Sequence, residues 1–98
     1  MQNPVTLNGY SKFLATTASL TDTAAAIVSA QTTFAPKEVV IQCAAASTAA
    51  ALVGDADSTP YELAKSGEIR FYISKPELIF ARAVGASTAT LNILILGD

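Results

Sequence analysis

Hydrophobic positions recur at every second residue through much of the chain. In Ile69-Arg-Phe-Tyr-Ile73, Ile69, Phe71 and Ile73 fall on one face and Arg70 and Tyr72 on the other, the period of a half-buried strand. Lys37–Ala44 divides in the same way, with Val39, Ile41 and Cys43 against Val40, Gln42 and Ala44. Thr88–Leu96 sets Leu91, Ile93 and Ile95 opposite Asn92, Leu94 and Leu96, so both of its faces are largely apolar. Ala49–Val53, Tyr61–Ala64 and Leu78–Val84 are shorter extended segments. Ala44-Ala-Ala-Ser-Thr48, Gly54–Pro60 and Gly85-Ala-Ser carry the small and polar residues of turns. Lys65-Ser-Gly-Glu68 is a tight connection in which Gly67 is expected to take the positive φ. Ser74-Lys-Pro76 ends a strand, because proline cannot donate to a ladder. Short strands at this spacing predict an all-β sandwich or small barrel. Its expected core is Val39, Ile41, Ile69, Phe71, Ile73, Leu91, Ile93 and Ile95.

The first third is less regular. Between Phe13 and Pro36 only Asp22 is charged. Alanine favours a helix capped near Asp22 and running through AAAIVSAQ. The pairs Thr16-Thr17 and Thr32-Thr33 favour two strands, Lys12–Leu20 and Ile27–Phe34. The strand reading is preferred. Asn3-Pro4 and Asn8-Gly9 are loop signals, so residues 1–10 are expected to form a flexible N-terminal arm and 11–98 one sandwich domain.

The 98-residue length suits a single domain. The chain is 51% hydrophobic, too apolar for intrinsic disorder. Six Lys and Arg residues are scattered and the net charge is −2, which argues against a nucleic-acid interface or an anionic membrane surface. The longest apolar runs are about five residues, far below the roughly 20 of a membrane-spanning helix. No basic residue precedes Lys12, so a signal-peptide n-region is not expected.

The absence of His excludes Ser-His-Asp and Cys-His chemistry and any His zinc site. A single Cys makes neither a thiolate cage nor an internal disulfide. Cys43, amid Val, Ile and Ala, is expected to pack as a small hydrophobe. Asp55-x-Asp57 opens like a calcium loop, but Pro60 and Ser66 stand where that loop needs Gly and Glu. It reads as a solvated acidic turn. Lys65-Ser-Gly67 lacks the glycine-rich approach of a phosphate loop and reads as a turn. Nothing sets two carboxylates on one surface for glycoside hydrolysis. Tyr10, Tyr61 and Tyr72 are the candidate stacking rings for a sugar module, and their spacing suggests no plane. No enzyme activity, metal or cofactor is expected. Arg82 is expected to pair across strands with Glu68 or Glu77, the alternative being that it faces a partner subunit.

Missing charge is the informative feature. Residues 39–54 and 83–97 carry none. A small monomer exposing such strands would present sticky faces and risky edges. The economical reading is that neighbouring subunits cover them.

The stretch ALVGDADSTPYELAKSGEIRFYISKPELIFARAVGASTATLNILILG has a recurrent order. A strand ends in Val-Gly-Asp, and a Ser/Thr-rich loop follows. A Gly-Glu then opens an alternating strand. An IFARA strand, a Gly-Ala-Ser turn and an aliphatic strand complete the order. Together with VVIQCAA, about Lys37 to Gly97, it resembles small all-β virion structural proteins of tailed bacteriophages, the capsid decoration (cement) and head-fibre base types. The resemblance implies a non-enzymatic antiparallel β-sandwich or jelly-roll-like domain bound between major capsid subunits, with a homotrimer favoured. It would be made in the host bacterial cytoplasm and reside in the virion. A tail or neck adaptor is the alternative, and a carbohydrate-binding sandwich a more remote one. The arm residues Gln2, Asn3, Pro4, Val5, Leu7 and Tyr10 are the candidate contacts to a neighbouring protein.

Overall fold

The computed structural model describes residues 9–85 and 87–98. Its strands are β1 (Lys12–Leu20), β2 (Ala25–Ala26), β3 (Pro36–Cys43), β4 (Ala51–Gly54), β5 (Tyr61–Leu63), β6 (Glu68–Phe71), β7 (Phe80–Ala83) and β8 (Ala89–Gly97). A 3-10 turn, Pro76–Leu78, precedes β7. The antiparallel pairs β1·β8, β2·β7, β3·β6 and β4·β5 nest within one another. The chain is therefore one long hairpin rolled around a core. Pairing of β3 with β8 and of β4 with β7 closes two four-stranded sheets, β1-β8-β3-β6 and β2-β7-β4-β5. This β-sandwich has jelly-roll topology, as the sequence leads one to expect.

The sheets differ in length and in side-chain size. The first, here the long sheet, turns Val39, Ile41, Leu91, Ile93 and Ile95 inward, all buried. The second, the short sheet, meets them with Ala51, Val53, Ala81 and Ala83, also buried. Large aliphatics on one layer face small ones on the other, which lets the layers interdigitate. That is the structural use of the alanine in ALVG and IFARA. Leu20, Ile27, Leu63 and Ile79 fill the remaining core. Cys43 is fully buried there, its sulfur 3.8 Å from both Ser47 Oγ and the Ala49 carbonyl oxygen.

Several expectations need correction. Lys12–Leu20 is a strand, but Ile27–Phe34 is neither strand nor helix. Only Ala25 and Ala26 pair with β7. Ile27 then donates its amide to the Ile79 carbonyl at 3.1 Å and plugs the core. From there the chain crosses between sheets to start β3, and a crossing segment cannot stay in a ladder. The positive φ at the β5–β6 turn belongs to Ser66 at 68°, not to Gly67. Gly67 is needed for closeness instead, since a Cβ there would sit 2.8 Å from the Ala64 carbonyl oxygen. Val39, Ile41, Leu91, Ile93 and Ile95 are core, whereas Ile69, Phe71 and Ile73 are only partly buried. These three line the side where the free edges of β5 and β6 leave the sandwich open.

Candidate docking surface

Alternation along the strands decides what the long sheet shows to its surroundings. With Leu91, Ile93 and Ile95 inward, β8 points Thr90, Asn92 and Leu94 outward. β1 adds Phe13, Ala15, Thr17 and Ser19, and β3 adds Gln42; Val40 and Leu96 share this outward parity but are buried. None of these is charged. They form a shallow trough of about 410 Å³, floored by Ala15, Thr17, Val40 and Leu94, with Glu68 at its β6 side. The amide of Asn92 donates to Gln42 Oε1 at 3.2 Å across its middle. Its β1–β8 side can bury apolar and neutral polar area against a partner without desolvating a charge, the costly step in association.

The β3–β6 end of that face holds a group the sequence reading missed. Glu38 shares a parity with Val40 and Gln42, so it points outward, yet it is only 1% exposed. Arg70 on β6 places Nη1 2.5 Å from its carboxylate. The phenol of Tyr10 also faces this carboxylate. Partial burial, and then the negative charge of Glu38, push the Tyr10 hydroxyl above its ordinary value, with smaller effects from Tyr72 and Asp98. Ser11 fastens the same corner, its amide donating to the Gly97 carbonyl at 3.1 Å and to Asp98 Oδ1 at 3.1 Å. Tyr10, just N-terminal to β1, therefore lies on the outward side of the long sheet. Of the candidate arm contacts, Tyr10 is at this corner, while Gln2, Asn3, Pro4, Val5 and Leu7 lie outside the described residues. One sequence signal for the ion pair existed, a lone acid beside an otherwise apolar run.

A second apolar feature is a groove of about 530 Å³ between the free edges of β5 and β6, lined by Tyr61, Ile69, Phe71, Ile73 and Leu78. Tyr61 and Leu78 are 53% and 55% exposed. Tyr61 belongs to the short sheet, whereas Tyr72 follows β6 of the long one, so the three tyrosines build no shared sugar platform.

The other candidates serve the fold. Asp55 Oδ1 accepts from the amides of Asp57 at 2.9 Å and Ser58 at 3.0 Å. The carboxylate thus closes its own turn. Among the described residues, no three metal-ligating side chains come together. Arg82 does not reach Glu68 or Glu77. Its Nε donates to Thr59 Oγ1 at 3.1 Å. The reason is position: Arg82 projects from the short sheet over the Gly54–Pro60 loop, while Glu68 stands on the long sheet.

No protein-family model matches the chain, and no curated protein matches it. A solved structure shares the fold. The chain superposes on one from the acidic stable capsid structure of Helicobacter pylori bacteriophage KHP30 with a TM-score of 0.52 and 15% identity, over 89% of each chain. At that identity the likeness is one of strand arrangement.

Proposed function

We propose that this chain is a non-enzymatic structural protein of a bacteriophage virion, of the capsid-decoration type. It binds at junctions between major capsid subunits, as a trimer matched to a local threefold. The observation that carries the reading is the uncharged β1–β8 part of the long sheet's outward face. The likeness to a chain of a phage capsid structure supports it, and so does the order of strands and turns from Lys37 to Gly97. The mechanism is thermodynamic. A protein that binds the assembled shell and not loose subunits stabilises the shell by mass action. The long sheet supplies contact area, and the arm, Gln2 to Tyr10, reaches onto a neighbouring protein and orders there. The virion is its location, after synthesis in the host cytoplasm.

Co-sedimentation with empty shells of the cognate major capsid protein tests this. Wild type should pellet with shells, and Leu94→Glu should lower occupancy at least tenfold. Glu62→Lys, on the outward side of the short sheet, should leave it unchanged. Deleting residues 2–10 should lower occupancy with the circular dichroism of the sandwich intact. Wild type that stays in the supernatant, or binds tail assemblies instead, overturns the decoration reading.

A further inference from the structure

β1 is the longest free edge of the molecule, nine residues in unbroken register with β8. Among the described residues, no strand pairs with its other side. Proteins usually blunt such an edge with charge, proline or a bulge. β1 has only Lys12 at its start. Phe13 is 59% exposed and Leu14 38%.

The ladder fixes which backbone groups are free. Cys43 N donates to Gly67 O, and Ile73 N to Lys37 O, so odd-numbered residues of β3 bond to β6 and even-numbered ones to β8. Ala44 N donating to Thr90 O agrees. β8 therefore turns its odd-numbered residues to β1, which meets them with even-numbered ones, Leu14 on Ile95 and Thr16 on Ile93. The amides and carbonyls of Phe13, Ala15, Thr17 and Ser19 are left pointing away from the sheet.

We propose that this edge pairs antiparallel with β1 of a second copy, with Thr17 on the twofold axis. Pairing the free odd-numbered residues with each other leaves few registers. Thr17 on Thr17 is the one that complements the sequence. It sets Ala15 opposite Ser19 and Leu14 opposite Leu20. It also carries Lys12 of one copy past the end of the other's β1, toward the turn after Leu20 that holds Asp22; these are the only two charges from Lys12 to Pro36. Shifting the pairing by two residues in each copy's frame, to centre on Thr16, sets Lys12 against Leu20 and leaves Asp22 without its opposite charge. The threonine pair at the axis is a favourable cross-strand contact. The contact is isologous. It joins two long sheets into one of eight strands and doubles the uncharged face. It is separate from any threefold contact and does not depend on the decoration reading.

Cysteine cross-linking tests the register. A hydrogen-bonded antiparallel pair has a Cα separation of about 5.5 Å, within disulfide range. Under mild oxidation Thr17→Cys should give a reducible dimer, whereas Ala15→Cys, facing Ser19, should give little. Equal cross-linking of both, or of neither, overturns the proposal. Two further variants keep the β1–β8 ladder. Thr17→Lys sets like charges on the axis, and Ala15→Pro removes an amide that β8 does not use. Each should halve the solution mass by light scattering while the far-ultraviolet circular dichroism stays that of wild type. An unchanged mass overturns the pairing whatever the outcome with shells.

Discussion

The two sheets are built from different residues and present different surfaces. The long sheet has strands of nine, eight, nine and four residues, in the order β1, β3, β8 and β6. It carries the large aliphatics inside and, outside, an uncharged β1–β8 area flanked on the β3–β6 side by Glu38, Glu68 and Arg70. The short sheet has strands of two to four residues. It is alanine-faced inside and bears Glu62 and Arg82 outside, next to the acidic Asp55–Asp57 loop. Both sheets share one core, so burial alone does not explain the asymmetry. A chain that floated free would gain solubility from charge on both faces. Here the β1–β8 part of the long sheet's outward face is free of charge, while Glu38, Glu68 and Arg70 stand on its β3–β6 side; the uncharged part is the one proposed to meet a neighbour.

The sharpest way to break this comparison is to remove volume from the long sheet. Ile41→Ala should cost about 2–5 kcal/mol, read as a lower urea midpoint, because Ile41 is fully buried between β6 and β8. A loss below 1 kcal/mol would mean the long sheet is not the main store of stability. Arg70→Met comes next. It leaves the Glu38 carboxylate buried without its ion-pair partner, a loss of about 3 kcal/mol, and adding Glu38→Gln should restore much of it. On the short sheet the error to introduce is excess volume. Ala83→Leu should destabilise by about 1–3 kcal/mol, because the fully buried Ala83 is set against large aliphatics. A neutral result would show that the layers do not approach as closely there as the alanine face implies.

The smallest effect is at Tyr10, whose hydroxyl is held above its usual value of 10.0. The folded protein keeps this proton after the unfolded chain has lost it. The contribution is therefore complete below about pH 10 and is lost as pH rises through the raised value. Between about pH 9 and about pH 11, the urea midpoint should fall further for wild type than for Tyr10→Phe. Equal slopes would remove Tyr10 from the Glu38 corner.

Much of the sandwich was legible in the sequence because side-chain alternation is local. The phase of Lys37–Ala44, Ile69–Ile73 and Thr88–Leu96 followed from which residues match at every second position. Residues 25–35 were not legible, because what ends β2 is a crossing between layers, and alanine and threonine leave both helix and strand open. The turn at Ser66–Gly67 was misassigned for a related reason. A glycine can be required for a positive φ or for closeness, and only the position of the Ala64 carbonyl distinguishes the two. Arg82 and Glu38 show the limit for charges. Their partners, Thr59 and Arg70, are set by which strands become neighbours. The uncharged face could be anticipated as a gap in charge between residues 83 and 97, but its joining with β1 into one surface required the β1·β8 pairing.

The central claim is that the β1–β8 side of the long sheet, and not the charged short sheet, meets the shell. Amide hydrogen exchange of the chain, free and bound to shells, tests it directly. Binding should slow exchange in Phe13–Ser19 and Thr90–Leu96, and leave Asp55–Glu62 as fast as in the free protein. Protection confined to Asp55–Glu62, with β1 and β8 unchanged, would contradict the account.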